Sequence, residues 1–179
     1  MFNLNCNHNI METSSKLYSL SFGNIRTYLF AALFVVGNLA LPQLCHLVPS
    51  GGATLLPIYF FTLIGAYKYG FRTGLLVAIL SPAINHWLFG MPAAEALLPI
   101  LVKSVTLAGA AAYASKYTRS VSFAAILLAI LCYQAIGTAF ECVLYGDLYR
   151  AAQDFRMGIP GMLLQWVGGY ALLKAIARI

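Results

Sequence analysis

The chain has 179 residues, of which 61% are hydrophobic and 9% charged, against about 25% charged in an ordinary soluble domain. Crossing a bilayer as a helix takes about 20 apolar residues, and several runs of that kind are present, which excludes a soluble globular fold. The net charge of +6 is scattered in ones and twos between apolar runs, so it reads as a set of membrane-topology signals and not as a nucleic-acid surface.

Residues 1–24 form a polar tail rich in Asn and Ser, with a lone His8. They lack the basic-then-apolar build of a signal peptide, and no small-x-small cleavage site ends the first apolar run. A retained tail, peripheral or disordered, is expected. A first membrane helix is expected over residues 26–48, containing Asn38, Pro42 and His46, with a kink or an early end at Pro42. After the turn Pro49-Ser50-Gly51-Gly52, a second helix over 54–67 has Pro57 in its first turn, where a missing N–H matters little. The basic turn Tyr67-Lys68-Tyr69-Gly70-Phe71-Arg72 leads into a third helix over 71–89, with a kink expected at Ser81-Pro82. That helix finishes on Asn85, His86 and Trp87, and Gly90-Met91-Pro92 breaks the chain.

A fourth helix over 95–115 has Pro99 near its start, Lys103 inside it and small residues from Ala108 to Ala112, a surface that lets helices approach closely in membranes. A fifth over 121–145 contains Gln134 and Glu141, and a polar loop with Asp147, Arg150, Asp154 and Arg156 follows. The sixth, over 159–173, opens on Pro160 and Gly161 and contains Gln165 and Trp166. The fold class is therefore an all-α membrane domain of six helices, residues 25–179, preceded by the tail 1–24.

The four cysteines, Cys6, Cys45, Cys132 and Cys142, show no CxxC or metal-site spacing; Cys132 and Cys142 read as small core residues. Neither a paired-histidine metal motif nor a GxSxG is present, and there is no GxxxxGK[ST] phosphate loop, so any ATP hydrolysis has to come from partner subunits.

Lys and Arg in short loops mark the cytoplasmic side. Lys16, Arg26, Lys68, Arg72, Lys116, Arg119, Lys174 and Arg178 fall on one side, whereas Arg150 and Arg156 on the other are matched by Asp147 and Asp154. Both termini are expected to be cytoplasmic. In that orientation Asn38, Gln43, His46, Asn85, His86, Lys103, Gln134, Glu141 and Gln165 fall in the outer half or near the midplane. Lys103 lies eight residues beyond Glu95, about 12 Å along a helix, where a lysine costs on the order of 3 kcal/mol unless it meets a partner or water. Glu141 is its obvious counter-charge. The pair reads either as a lock between two helices or as part of a ligand site in an outward-opening cavity. His86 with Trp87 reads as an interfacial anchor or as a ligand contact, and His46 as interfacial or metal-binding.

The run GAYKYGFRTGLLVAILSPAINHWLFG, with small size and six spans, resembles the substrate-binding subunits (S components) of energy-coupling factor (ECF) transporters, over residues 25 to the end. The resemblance implies a six-helix bundle of the prokaryotic cell (inner) membrane that binds a vitamin or related micronutrient near its outer surface. It further implies that the chain is not an enzyme, holds no cofactor or metal, and works with a membrane coupling subunit and two ATPases, or alone. Positions matching the family's pocket are Asn38, His46, Asn85, His86, Trp87, Lys103, Glu141 and Gln165, with residues 49–53 as a lid. In solitary relatives that bind cobalamin a side chain can ligate the cobalt, a part that His86, His46 or Cys45 could play. One departure concerns docking: the family's Ala-x-x-x-Ala pattern in helix one is replaced here by Ala31 and Ala32 followed by Val35 and Val36. The residues also leave two other classes open, an integral membrane enzyme built on Glu141, His86 and Lys103, or a small channel or assembly subunit of a membrane complex.

Overall fold

A computed structural model of the chain describes residues 17–45, 47 and 51–176. Among these every regular element is helical and there is no strand. The elements are α1 (Ile25–Cys45), α2 (Gly51–Leu55), a 3₁₀ turn (Pro57–Tyr59), α3 (Phe60–Tyr69), α4 (Phe71–Phe89), α5 (Ala94–Thr118), α6 (Phe123–Tyr145), α7 (Leu148–Ala151), α8 (Gln153–Met157) and α9 (Ile159–Leu163). A π-helical turn (Leu164–Gly168) then runs directly into α10 (Gly169–Ile176).

Three helices, α1, α5 and α6, are each long and apolar enough to cross a membrane. Only 33%, 33% and 39% of their apolar windows are buried inside the protein. The rest points outward, as with Leu29, Leu33, Leu128 and Val143, an apolar surface of the kind that suits acyl chains better than water.

α3 is the axis of the bundle. Every side chain from Thr62 to Lys68 that can be buried is buried, against Val77 and Ala78 of α4, Leu107, Ala108 and Ala111 of α5, and Ile126 and Ile130 of α6. Ala66 packs so closely on Gly74 that any Cβ there would overlap it. The α3–α4 corner turns on Gly70, whose φ of +89° and closeness to the Ser19 backbone exclude a side chain. Residues Tyr18 and Leu20 donate backbone N–H groups to Lys68 O (2.7 Å) and Tyr69 O (3.2 Å). Lys68 Nζ donates to Ile176 O, so the first and last described turns meet at one end of the bundle. Arg26, Arg72, Lys116, Arg119 and Lys174 lie at this end, called the basic end here.

Several boundaries differ from the expectation. The second helix is interrupted, because the Pro57 ring disfavours a right-handed helical Leu56. Leu56 takes φ 46°, ψ 47° instead, and the helix restarts through the 3₁₀ turn. The expected polar loop after α6 contains α7 and α8, with Asp147 capping α7 by accepting from the N–H groups of Tyr149 and Arg150. The helix of 71–89 continues through Pro82. Cys132 is exposed on α6 and Cys142 half-buried, which corrects the reading of both as core residues: α6 is apolar on every side, so an apolar run does not say which face is inside. The tail's last residues, 17–20, are pinned to the α3–α4 corner; its earlier residues lie outside the described ones.

Candidate functional site

The buried charges expected from the sequence come together. Lys103 on α5 is wholly buried, and its Nζ donates to both carboxylate oxygens of Glu141 on α6 at 2.8 Å. Glu141 keeps slight exposure, 8% of its side chain against 0% for Lys103, so the pair opens on the glutamate side. Gly137, one helical turn before Glu141, is what admits the lysine. A Cβ at Gly137 would overlap the aliphatic carbons of Lys103.

A turn deeper on the same α6 face lies Gln134, also fully buried. Its Nε2 donates to Met162 Sδ at 3.6 Å, while its Oε1 has no hydrogen-bond partner among the described residues, and neither have Ser104 Oγ and Thr138 Oγ1. A buried polar atom without a partner costs about 1–3 kcal/mol, so three of them on the two helices that carry the ion pair point to a place built for something else. Tyr133 donates its hydroxyl to Gln165 Oε1 (3.1 Å), and Gln165 Nε2 donates to Leu56 O (3.4 Å). Gln165 sits in the π-helical turn, a distortion frequent at functional sites. It holds the left-handed Leu56, a conformation uncommon for a branched residue. Tyr59 packs on Tyr133 with ring centroids 5.2 Å apart.

Leu56 and Tyr59 line a cleft of about 310 Å³ together with Pro42, Gly52, Asn85 and Ile100. The cleft lies at the end opposite the basic one, and Lys103 is one turn below Ile100 on α5. The volume is at the lower bound of small-molecule pockets, about 300 Å³. Asn85 is buried and accepts from Gln43 Nε2 at 3.4 Å.

The remaining expected positions separate. Asn38 is fully buried away from the ion pair. Its Nδ2 donates to Thr62 Oγ1 (3.1 Å) and Ser81 Oγ (3.2 Å), and its Oδ1 accepts from the Phe61 N–H (3.1 Å), one of the donors that the start of α3 leaves open. Asn38 thus ties α1 to α3 and α4. His86 Nδ1 donates to Pro92 O at 2.6 Å, since a carbonyl only accepts, and so pins the turn after α4. Trp87 is 83% exposed and projects from the bundle. His46 lies outside the described residues, as do residues 49 and 50 of the expected lid, whose remainder opens α2. Among the described residues no three His, Cys, Asp or Glu side chains gather as a metal ion needs.

The residues the sequence reading passed over are Tyr59, Tyr133, Ser104, Thr138 and Gly137. The glycine four residues before Glu141 was the readable signal, because a small residue one turn from a buried charge makes room for its partner. The cluster as a whole offers a cation, a carboxylate, an amide oxygen and two hydroxyls beside an aromatic wall, a set suited to a polar molecule with both donors and acceptors. Comparison of the chain with protein-family models, with curated proteins and with solved structures gave no match.

Proposed function

We propose that the chain is the membrane-embedded substrate-binding subunit of an uptake system of the ECF type, taking a vitamin-like polar molecule from outside the cell. In this reading it crosses the membrane six times, with both termini and the basic end on the cytoplasmic side. The observation that carries it is the buried Lys103–Glu141 pair, with the unpartnered Ser104 Oγ, Gln134 Oε1 and Thr138 Oγ1 on the same two helices and a cleft at the far end, one turn along α5. The cargo enters the cleft past Leu56 and Tyr59, and its polar groups reach from there toward Gln134 and Glu141 on α6. The basic end is closed by paired groups, Tyr67 donating to Ser120 O at 2.8 Å and Lys68 to Ile176 O. Release inward then requires motion of the whole subunit, driven by partner ATPases.

A second reading has an observation of its own. The two 2.8 Å contacts of Lys103 satisfy Glu141 without a ligand, as in a lock between α5 and α6 of an assembly subunit. Native mass spectrometry of the protein purified in mild detergent from its own host separates the two. A bound small molecule at one per chain supports the binding subunit. An empty chain that always co-purifies with another membrane protein contradicts it and supports the lock.

A further inference from the structure

At the basic end, the α3–α4 corner, the last turns of α5 and residues 17–20 enclose a crevice of about 690 Å³. Arg72, Lys116 and Arg119 stand in its walls, all exposed. None of the described carboxylates lines it: Glu95, Glu141 and Asp147 all belong to the opposite half of the molecule. Arg72 instead lies over the Phe22 ring, 5.5 Å from its centre. Through Gly109 and Tyr113, which line both spaces, the crevice passes into an apolar groove of about 780 Å³ between α5 and α6. Ala110, Ala114, Ala125 and Ala129 line it, with Leu128 and Ile136 beside them. Along α5 it extends from Thr118 back to Thr106, about 18 Å at 1.5 Å per residue, close to the ~15 Å of one leaflet's hydrocarbon. Where the two spaces join, Tyr113 and Tyr117, 72% and 79% exposed, stack with centroids 6.4 Å apart. Amphipathic aromatic rings of this kind collect at headgroup level.

We propose that crevice and groove together hold one anionic phospholipid of the adjoining leaflet, its phosphate among Arg72, Lys116 and Arg119 and one acyl chain against α5 and α6. Charge complementarity and the continuity of the two spaces select this occupant. A free phosphate leaves the groove unused, and a docked apolar helix leaves the three cations unused. The inference needs only that the chain is embedded in a membrane and does not depend on what the polar cluster binds.

The test is native mass spectrometry of the detergent-purified chain after incubation with equimolar phosphatidylglycerol and phosphatidylcholine. One phosphatidylglycerol should be retained in preference to phosphatidylcholine by about tenfold or more, since three basic residues face its net negative headgroup. The variant R72Q/K116Q/R119Q, changed only at exposed positions, should retain the two lipids equally. Ala114→Phe, checked for folding by its thermal melt, should retain less of both. Equal retention by the unmodified chain overturns the proposal, as does an unchanged preference in the triple glutamine variant. Displacement of phosphatidylglycerol by millimolar inorganic phosphate overturns it in favour of a free anion. Full lipid retention by Ala114→Phe with loss of a co-purifying membrane protein overturns it in favour of a partner helix.

Discussion

The two ends of the bundle differ in how completely they pair their buried polar groups. At the basic end Tyr67 donates its hydroxyl to Ser120 O and accepts from the Ser122 N–H, Thr27 Oγ1 donates to Ser21 O, and Lys68 reaches Ile176 O. Thr73 Oγ1 is the exception there, without a partner among the described residues. In the other half Gln134, Ser104 and Thr138 keep unpartnered oxygens on the two helices that hold the wholly buried Lys103 and its partner. Folding alone rewards the first arrangement and penalises the second. The contrast is why the far half is the candidate for binding and the basic end for closure.

Substitutions can break or sharpen that contrast. The largest effect is expected from Glu141→Ala, which leaves Lys103 buried without its carboxylate and should destabilise by about 3–5 kcal/mol. The paired change K103M/E141L should recover that stability, because buried pairs replaced by apolar groups of similar volume are often neutral. Both are readable as thermal midpoints in detergent. Next comes Asn38→Ala, which strands Thr62, Ser81 and the Phe61 N–H and should cost about 2–3 kcal/mol. Ligand affinity of the folded fraction should stay unchanged, since Asn38 bonds only within the bundle. A smaller loss, about 1 kcal/mol, is expected of Tyr67→Phe, again without effect on binding as measured by equilibrium dialysis against the co-purified molecule. The smallest stability change should belong to Gln134→Leu, which removes an unpartnered oxygen; its melt should match the parent while affinity drops about tenfold, the worth of about one hydrogen bond. An unchanged affinity with a lower melt would reverse the assignment of Gln134 to the site.

What could be read in advance follows from the physics of an apolar chain. Lys103 and Glu141 were legible because two charges inside apolar runs have few alternatives to meeting each other. The helices were legible from their length, and the break at Leu56 was not, because Pro57 is tolerated in a first helical turn and only the surrounding packing decides whether the turn continues. Orientation about each helix axis was the hidden variable. Membrane helices are apolar on every side, so nothing in the run marked Cys132 as exposed or Asn38 as a tie between α1, α3 and α4. Tyr59 and Tyr133 were hidden for a related reason, since a tyrosine in an apolar run serves as core and as polar wall with equal ease. Gln165 could be named, but its grip on Leu56 depends on the extra residue of the π-helical turn, which no local pattern announces.

The central claim is that the Lys103–Glu141 cluster exists for a ligand, and the paired variant K103M/E141L tests it most directly. The variant and the parent are purified side by side from the native host, their melts compared, and their bound small molecules counted by native mass spectrometry. An equally stable variant that has lost the molecule carried by the parent is the predicted result. A variant that keeps the parent's molecule at the same occupancy contradicts the account, and the pair is then a lock between α5 and α6.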